Sequence, residues 1–226
     1  MKEQVKEESE RRVGLPSAYS RRWQYWKDVS EEEWNDWKWQ LRNSIRSAEQ
    51  LKKVFPLTEK EAQAVEEIDK IYPIFITPHY LSLIDPEDPA DPIRLQAIPQ
   101  EAEIHYGTEL PEDPLEEEVD APVEGLTHRY PDRVLMILTD FCSTYCRHCT
   151  RKRLFRRDVA RKAYPLEPML EYLREHKEVR EVILSGGDPL TYTNSRLEEV
   201  LRKLRQIPHL EIIRIGSRVP VTLPQR

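Results

Sequence analysis

Apolar and polar positions follow two textures along this chain. In the first half they recur at helical spacing. Ser30 and Glu33 form a capping box, and Trp34, Trp37, Leu41, Ile45 and Leu51 follow at that spacing, predicting one helix from Glu31 to about Val54. Thr58 and Glu61 make a second capping box, opening a helix to about Lys70. Thr77-Pro78 opens a short third helix, because proline is tolerated at the first helical position. The stretch from Asp85 to Ile98 is punctuated by prolines and reads as irregular. Residues 1–29 are polar with aromatic inserts (Tyr19, Trp23, Tyr25, Trp26) and read as an arm that docks its rings elsewhere.

At Arg133 the texture changes. Val134 to Leu138 is a continuous apolar run, the pattern of a strand buried on both faces in a parallel sheet. Residues 165–177 form an amphipathic helix, Val182–Leu184 a second strand, 195–206 another helix, and Ile212–Ile215 a third strand. Alternation at this spacing predicts right-handed βαβ crossovers and a parallel sheet. Three strands with an open edge make a poor independent unit, so the chain reads as the front of a longer protein. The expected organisation is an arm (1–29), a helical N-terminal region with Pro-rich and acidic loops (30–126), and an α/β region (127–226).

Composition adds limits. No run approaches the ~18 apolar residues of a spanning helix, and the N-terminus lacks the apolar core of a signal peptide, so no membrane is involved. With 41 acidic and 35 basic residues the net charge is −6, which does not announce a nucleic-acid binder. Residues 109–120 carry seven acids and read as a solvated loop. The three cysteines, Cys142, Cys146 and Cys149, fall within eight residues, unlike a disulfide scaffold. They imply a reducing, cytoplasmic compartment and a metal or redox centre.

Zinc sites usually pair cysteines and take four ligands. Here there are three thiols and one interleaved His148 at a reach that strains a tetrahedron. Thiolates are also the usual ligands of iron–sulfur clusters. Three of them on a four-iron cluster leave one iron open to a small chelating molecule. A second turn, Ser185-Gly186-Gly187-Asp188, follows the second strand, where glycines let backbone approach a ligand.

The spacing Cys142-x3-Cys146-x2-Cys149 after a buried strand resembles the radical S-adenosylmethionine (SAM) superfamily. THRYPDRVLMILTDFCSTYCRHCTRKR (127–153), LSGGDPL (184–190), IRIGSRVPVTLPQR (213–226) and EEEWNDWKWQLRNSI (31–45) resemble the lysine 2,3-aminomutase family within it. The resemblance implies a partial TIM barrel, here its first strands and helices only, preceded by a helical region. It implies a 4Fe–4S cluster on Cys142, Cys146 and Cys149, with SAM contacts from His148, Ser185, Gly186, Gly187, Asp188, Ser217 and Arg218. It implies pyridoxal 5′-phosphate (PLP) as a further cofactor, its phosphate held by Tyr130 and Arg133, and a substrate carboxylate held by Arg151. The activity implied is conversion of L-lysine to L-β-lysine. The cluster reduces SAM, a 5′-deoxyadenosyl radical takes a β-hydrogen, and the amino group migrates. The lysine that anchors PLP and the acids that grip the substrate side chain are expected beyond Arg226, so this chain alone is expected to be inactive. The family also implies a homo-oligomer and an electron donor such as a flavodoxin or ferredoxin.

Two other readings use the same residues. Glutamate 2,3-aminomutase shares these motifs. A metal-bearing RNA-binding module would rest on the basic stretch Arg151, Lys152, Arg153, Arg156, Arg157, Arg161 and Lys162. Most of those cations are expected to be solvated or to meet the acidic loop.

Overall fold

The computed structural model describes residues 25–106, 111–162 and 164–226. The N-terminal region is helical: α1 (Glu31–Asn35), α2 (Trp37–Arg42), α3 (Ala48–Val54), α4 (Glu59–Asp69), α5 (Pro78–Ser82), α6 (Pro92–Ala97) and α7 (Glu101–Tyr106).

The long helix expected over Glu31–Val54 is instead α1, α2 and α3. Asp36 leaves the helix with extended backbone, and its carboxylate accepts from the Lys38 and Trp39 amides, capping α2. Beyond Asn43 the chain leaves the helix again. There Ile45 N–H donates to Ile76 O (2.8 Å) and Ile76 N–H returns to Ile45 O (3.1 Å). Ser47 then caps α3 through the Gln50 amide. Helical spacing survives these breaks because Trp34, Ile45 and Leu51 are all buried although they lie in separate segments.

Both capping boxes form, at Ser30–Glu33 and Thr58–Glu61, and α4 and α5 start where the sequence places them. The Pro-punctuated stretch contains a helix where an irregular segment is expected. Asp91 caps α6, and Pro92 takes its first position, where a missing N–H costs nothing. Of the arm's aromatics, Tyr25 packs on Phe55 (6.1 Å) and Trp26 on Trp34 (5.9 Å). Tyr19 and Trp23 lie outside the described residues.

The C-terminal region is β1 (Leu126–Tyr130), β2 (Arg133–Thr139), α8 (Leu166–Glu175), β3 (Glu181–Gly186), α9 (Asn194–Arg205), β4 (Ile212–Ile215) and α10 (Val219–Thr222). The sheet order is β1-β2-β3-β4. β2, β3 and β4 are parallel, with Val134 opposite Val182 and Val182 opposite Ile213. β1, not foreseen, is antiparallel to β2. On β2 the alternate residues Val134, Met136 and Leu138 join Leu166, Met169, Leu170 and Leu173 of α8 and Val200 and Leu204 of α9 in one apolar cluster. The opposite face is closed less completely: Ile137 is buried and Leu135 half-buried.

A second cluster joins Leu51, Phe55, Val65, Ile76, Tyr80, Leu81 and Ile84 of the helical region. A smaller third one holds Phe75, Tyr145 and Phe155, with Phe141, Cys142 and Cys149 against it. Ile76 forms isolated bridges to both Ile45 and Thr144. The loop after β2 is therefore seated on the helical region.

Candidate functional site

The carboxyl ends of β2, β3 and β4 meet at one place, where ligands of parallel sheets gather. The loop leaving β2 carries Cys142, Cys146 and Cys149, all half-buried and unpaired. It is fixed along its length. Thr144 Oγ1 donates to Phe75 O (2.9 Å) and Tyr145 N–H to the same carbonyl (3.1 Å). Tyr145 stacks on Phe155 at 4.4 Å. Ser143 and Thr222 share a hydroxyl hydrogen bond (2.6 Å), and Thr77 Oγ1 donates to Thr222 O (2.5 Å).

Arg147, between the second and third cysteines, is buried and held by two hydrogen-bonded nitrogens on Glu103 of α7 (Nη2 to Oε2, 2.7 Å). Lys152 joins the same carboxylate at 2.5 Å. Burial pushes the Glu103 carboxyl up, but Arg147 and Lys152 outweigh it and hold it below the usual range.

The Gly-Gly-Asp turn has a role that its sequence does not disclose. Gly186 adopts φ 108°, and a Cβ there would meet Thr139 O at 2.5 Å. A Cβ on Gly187 would collide with the Phe141 backbone. Gly187 N–H donates to Thr139 O (2.5 Å) and Asp188 N–H to Phe141 O (2.8 Å). The glycines let the end of β3 lie against the backbone immediately preceding Cys142.

The Asp188 side chain is buried and ties its own turn to the segment that follows β4. It accepts from Leu190 N–H (3.0 Å), Ser217 Oγ–H (2.8 Å), Arg218 N–H (2.7 Å) and Val219 N–H (3.2 Å). Asp188 and Ser217 thus sit where the sequence places them, but their polar atoms serve each other and the start of α10. Ser185 is half-buried, with its Oγ 3.5 Å from Arg151 Nη1.

Arg218 reaches over the loop. Its Nη1 donates to Cys146 Sγ (2.6 Å), while Nη2 donates to Tyr80 OH (2.8 Å) and Gln96 Oε1 (2.7 Å). His148 is exposed, and its pKa is lowered by partial burial and by the Arg218 charge. The backbone N–H of Arg151 donates to Cys149 Sγ (3.4 Å).

The thiol environments bear on what the loop can hold. Burial, then the neighbouring Cys149, Asp188 and Cys146 charges, pushes the Cys142 thiol well up. Burial, reinforced by Cys146, pushes Cys149 up as well, with the Arg151 N–H opposing. A bound positive centre would offset that cost and favour the thiolates of Cys142 and Cys149. Among the described residues no group of three or more His, Cys, Asp or Glu side chains is arranged to hold one metal ion. A cluster asks something different, one thiolate per iron, and an all-thiolate set on a single loop fits that demand.

Some sequence-selected residues are not brought here. Tyr130 and Arg133 lie at the amino end of β2, separated from the loop by the strand's length, about 20 Å at ~3.3 Å per residue. Tyr130 is exposed, and Arg133 pairs with Asp132 (3.1 Å) and lies over the Tyr130 ring (5.6 Å).

The acidic run is exposed at Glu112, Glu116 and Glu118, as expected of a solvated loop, and departs from that at Glu117. Among its described residues, Glu117 is buried and grips Arg151 through two contacts, Nε to Oε2 at 3.0 Å and Nη2 to Oε1 at 2.5 Å. Glu117 also meets Arg153 (3.2 Å), Asp113 meets Arg153 (3.1 Å), and Glu112 meets Arg156. Arg157 pairs with Asp69 and Lys162 with Glu124 (3.0 Å). The basic stretch meets acids rather than presenting a bare cationic face.

Sequence reasoning misses Tyr80, Gln96, Glu103 and Glu117 as supports of the site. Only the acidic run carries any signal, and its composition points outward.

The Radical SAM superfamily profile matches residues 136–226. The L-lysine 2,3-aminomutase of Clostridium subterminale is 52% identical over 208 residues, covering 92% of this chain and 50% of that protein. The L-lysine 2,3-aminomutase of Bacillus subtilis is 48% identical over 214 residues, covering 93% and 45% respectively. The glutamate 2,3-aminomutase of Clostridioides difficile is 42% identical over 198 residues, covering 87% and 47%. The chain spans about half the length of these curated relatives.

Proposed function

The chain belongs to the lysine 2,3-aminomutase family of radical SAM proteins, and from that premise we propose that it builds the cluster and SAM side of an amino-acid 2,3-aminomutase. The observation that carries the reading is the seating of Cys142, Cys146 and Cys149 against the Gly186-Gly187-Asp188 turn at the carboxyl ends of three parallel strands. A bound 4Fe–4S cluster with SAM supplies one-electron chemistry, which acid–base side chains cannot provide for an unactivated C–H bond.

The chain's own residues hold and orient. Cys142, Cys146 and Cys149 ligate the cluster. Glu103, through Arg147, and Phe75, through Thr144 and Tyr145, keep the loop in register. Phe141, Tyr145 and Phe155 cover the inner side of the loop and keep water from it. His148 and Ser185 border the SAM site. Gly186, Gly187 and Asp188, with Ser217, shape its wall, and Arg218 supplies positive charge. Arg151 offers a guanidinium to a substrate carboxylate, which must then take the place of Glu117.

L-lysine is the proposed substrate of the whole protein, giving L-β-lysine. The glutamate 2,3-aminomutase among the relatives makes glutamate the second reading. PLP, a flavodoxin- or ferredoxin-type reductant, homo-oligomeric assembly and a cytoplasmic location belong to the same proposal. Among the described residues no helix is long and apolar enough to cross a membrane.

The test is anaerobic reconstitution with iron and sulfide, followed by low-temperature EPR of the reduced sample with and without SAM. The expected result is a four-iron signal that changes when SAM is added. Stoichiometric zinc with no cluster signal overturns the reading.

A further inference from the structure

Arg218 is held at both ends. Its backbone N–H donates to the buried Asp188 carboxylate (2.7 Å), which fixes where the side chain starts. Its Nη2 donates to Tyr80 OH and Gln96 Oε1, and the guanidinium lies over the Tyr80 ring at 5.7 Å. Tyr80 is only 1% exposed, so its hydroxyl cannot swing away. The Gln96 amide is oriented by its own Nε2, which donates to Pro92 O (2.8 Å) and leaves Oε1 to face the guanidinium. The main-chain carbonyl of Gln96 accepts from the N–H of Arg147 (2.9 Å), the residue following Cys146. One residue of α6 thus grips both the cysteine loop and the cation laid against it.

The result is asymmetric among the thiols. Cys146 receives a guanidinium N–H at 2.6 Å, and Cys149 a neutral backbone N–H at 3.4 Å. Hydrogen bonds and positive charge at a ligand sulfur favour the reduced, more negative state of a cluster and raise its potential. We propose that Tyr80 and Gln96 are positioning residues that hold Arg218 against Cys146 and thereby raise the reduction potential of the cluster on this loop. The proposal rests on the cluster reading above and goes beyond it. It makes two residues of the helical region, far from the cysteines in sequence, setters of the cluster's electronics.

The test is an EPR-monitored potentiometric titration of the reconstituted cluster without SAM, in the unaltered chain, Tyr80→Phe, Gln96→Met and Arg218→Gln. The Tyr80 and Gln96 variants are also made in the Arg218→Gln background. Iron content and far-UV circular dichroism are recorded for all. Arg218→Gln should lower the potential most. Tyr80→Phe and Gln96→Met should lower it less, and neither should shift it further once Arg218 is replaced. A merely structural role would reduce cluster content without moving the potential of the clusters that form. Unchanged potentials in both single variants overturn the proposal, as does an equal shift with and without Arg218. Gln96→Met keeps the carbonyl that holds Arg147, so it decides the matter if Tyr80→Phe misfolds. If the unaltered chain assembles no cluster, the functional reading fails and takes the proposal with it. A cluster of normal content and unmoved potential sinks the proposal alone.

Discussion

The helical region and the sheet region reach the site by different physics. The sheet region is held by a single apolar cluster, in which alternate residues of β2 and β3 lock against the inner faces of α8 and α9. In the helical region a cation is among the most completely buried large side chains. Arg94 is 1% exposed, and its guanidinium is paired with Glu61 (2.7 and 2.6 Å). It also donates to Pro86 O (3.0 Å) and Pro56 O (3.2 Å) and lies over Phe55. The polar contacts that reach the cysteine loop from this region, through Glu103, Gln96 and Tyr80, belong to the same style of construction. Apolar burial fixes where strands lie. Directional polar contacts fix where a loop points.

That contrast can be broken at its strongest point. Glu61→Ala leaves Arg94 buried without its partner and should cost about 3–5 kcal/mol in urea denaturation. Replacing both residues by apolar ones of similar size should recover most of that loss. The pair also predicts an acid response. Burial raises the Glu61 carboxyl, but hydrogen bonds from Arg94 and from Thr58, with the Arg94 charge, outweigh it and leave the pKa below the usual glutamate range. A folded pKa below the unfolded one means the contribution is complete above the unfolded value. It is lost as pH falls through the folded one. Stability that is insensitive to acid in this range would contradict the assignment.

Leu170→Ala probes the other region. Leu170 is fully buried in the sheet cluster, and its truncation should cost about 3 kcal/mol through lost transfer energy and a residual cavity. The loss should be the same at neutral and mildly acidic pH, which separates it from Glu61→Ala. The smallest effect tests local control. Asp36→Ala removes the cap of α2 and should lower stability by less than either change above. Hydrogen exchange should report it as faster exchange at Lys38 and Trp39, with β2 and β3 amides unaffected. Protection lost equally across the sheet would show that the two regions are not so differently held.

The same contrast governs how legible each region is. The strands at Val134–Leu138, Val182–Leu184 and Ile212–Ile215 are readable because their burial is written in contiguous apolar residues. The caps at Thr58 and Thr77 are readable because a cap is a local exchange between a side chain and an amide three residues away. The helix over Glu31–Val54 is misread because its breaks depend on Asp36 capping forward and on Ile45 pairing with Ile76, a distant partner. β1 escapes notice because only Leu126 of its five residues is buried. Within the acidic run only Glu117 is misplaced, because a carboxylate reads as solvated until an arginine buried beside it is known, as Arg153 is beside Glu117. At the site, the cysteine spacing and the Gly-Gly-Asp turn are plain in the sequence. The supports at Tyr80, Gln96 and Glu103 are not, since nothing local distinguishes them.

Residue type and short-range spacing set the chemistry on offer: three thiols within eight residues, glycines after a buried strand, and the alternation that makes a parallel sheet. The chain carries all of these before it folds. Folding alone lays Arg218 on Cys146, turns Asp188 toward the protein rather than outward, and leaves Tyr130 and Arg133 at the far end of β2. Those outcomes depend on which distant polar groups meet once the strands are stacked. Hydrogen bonds of fixed direction between residues far apart in the chain leave no periodic mark on it.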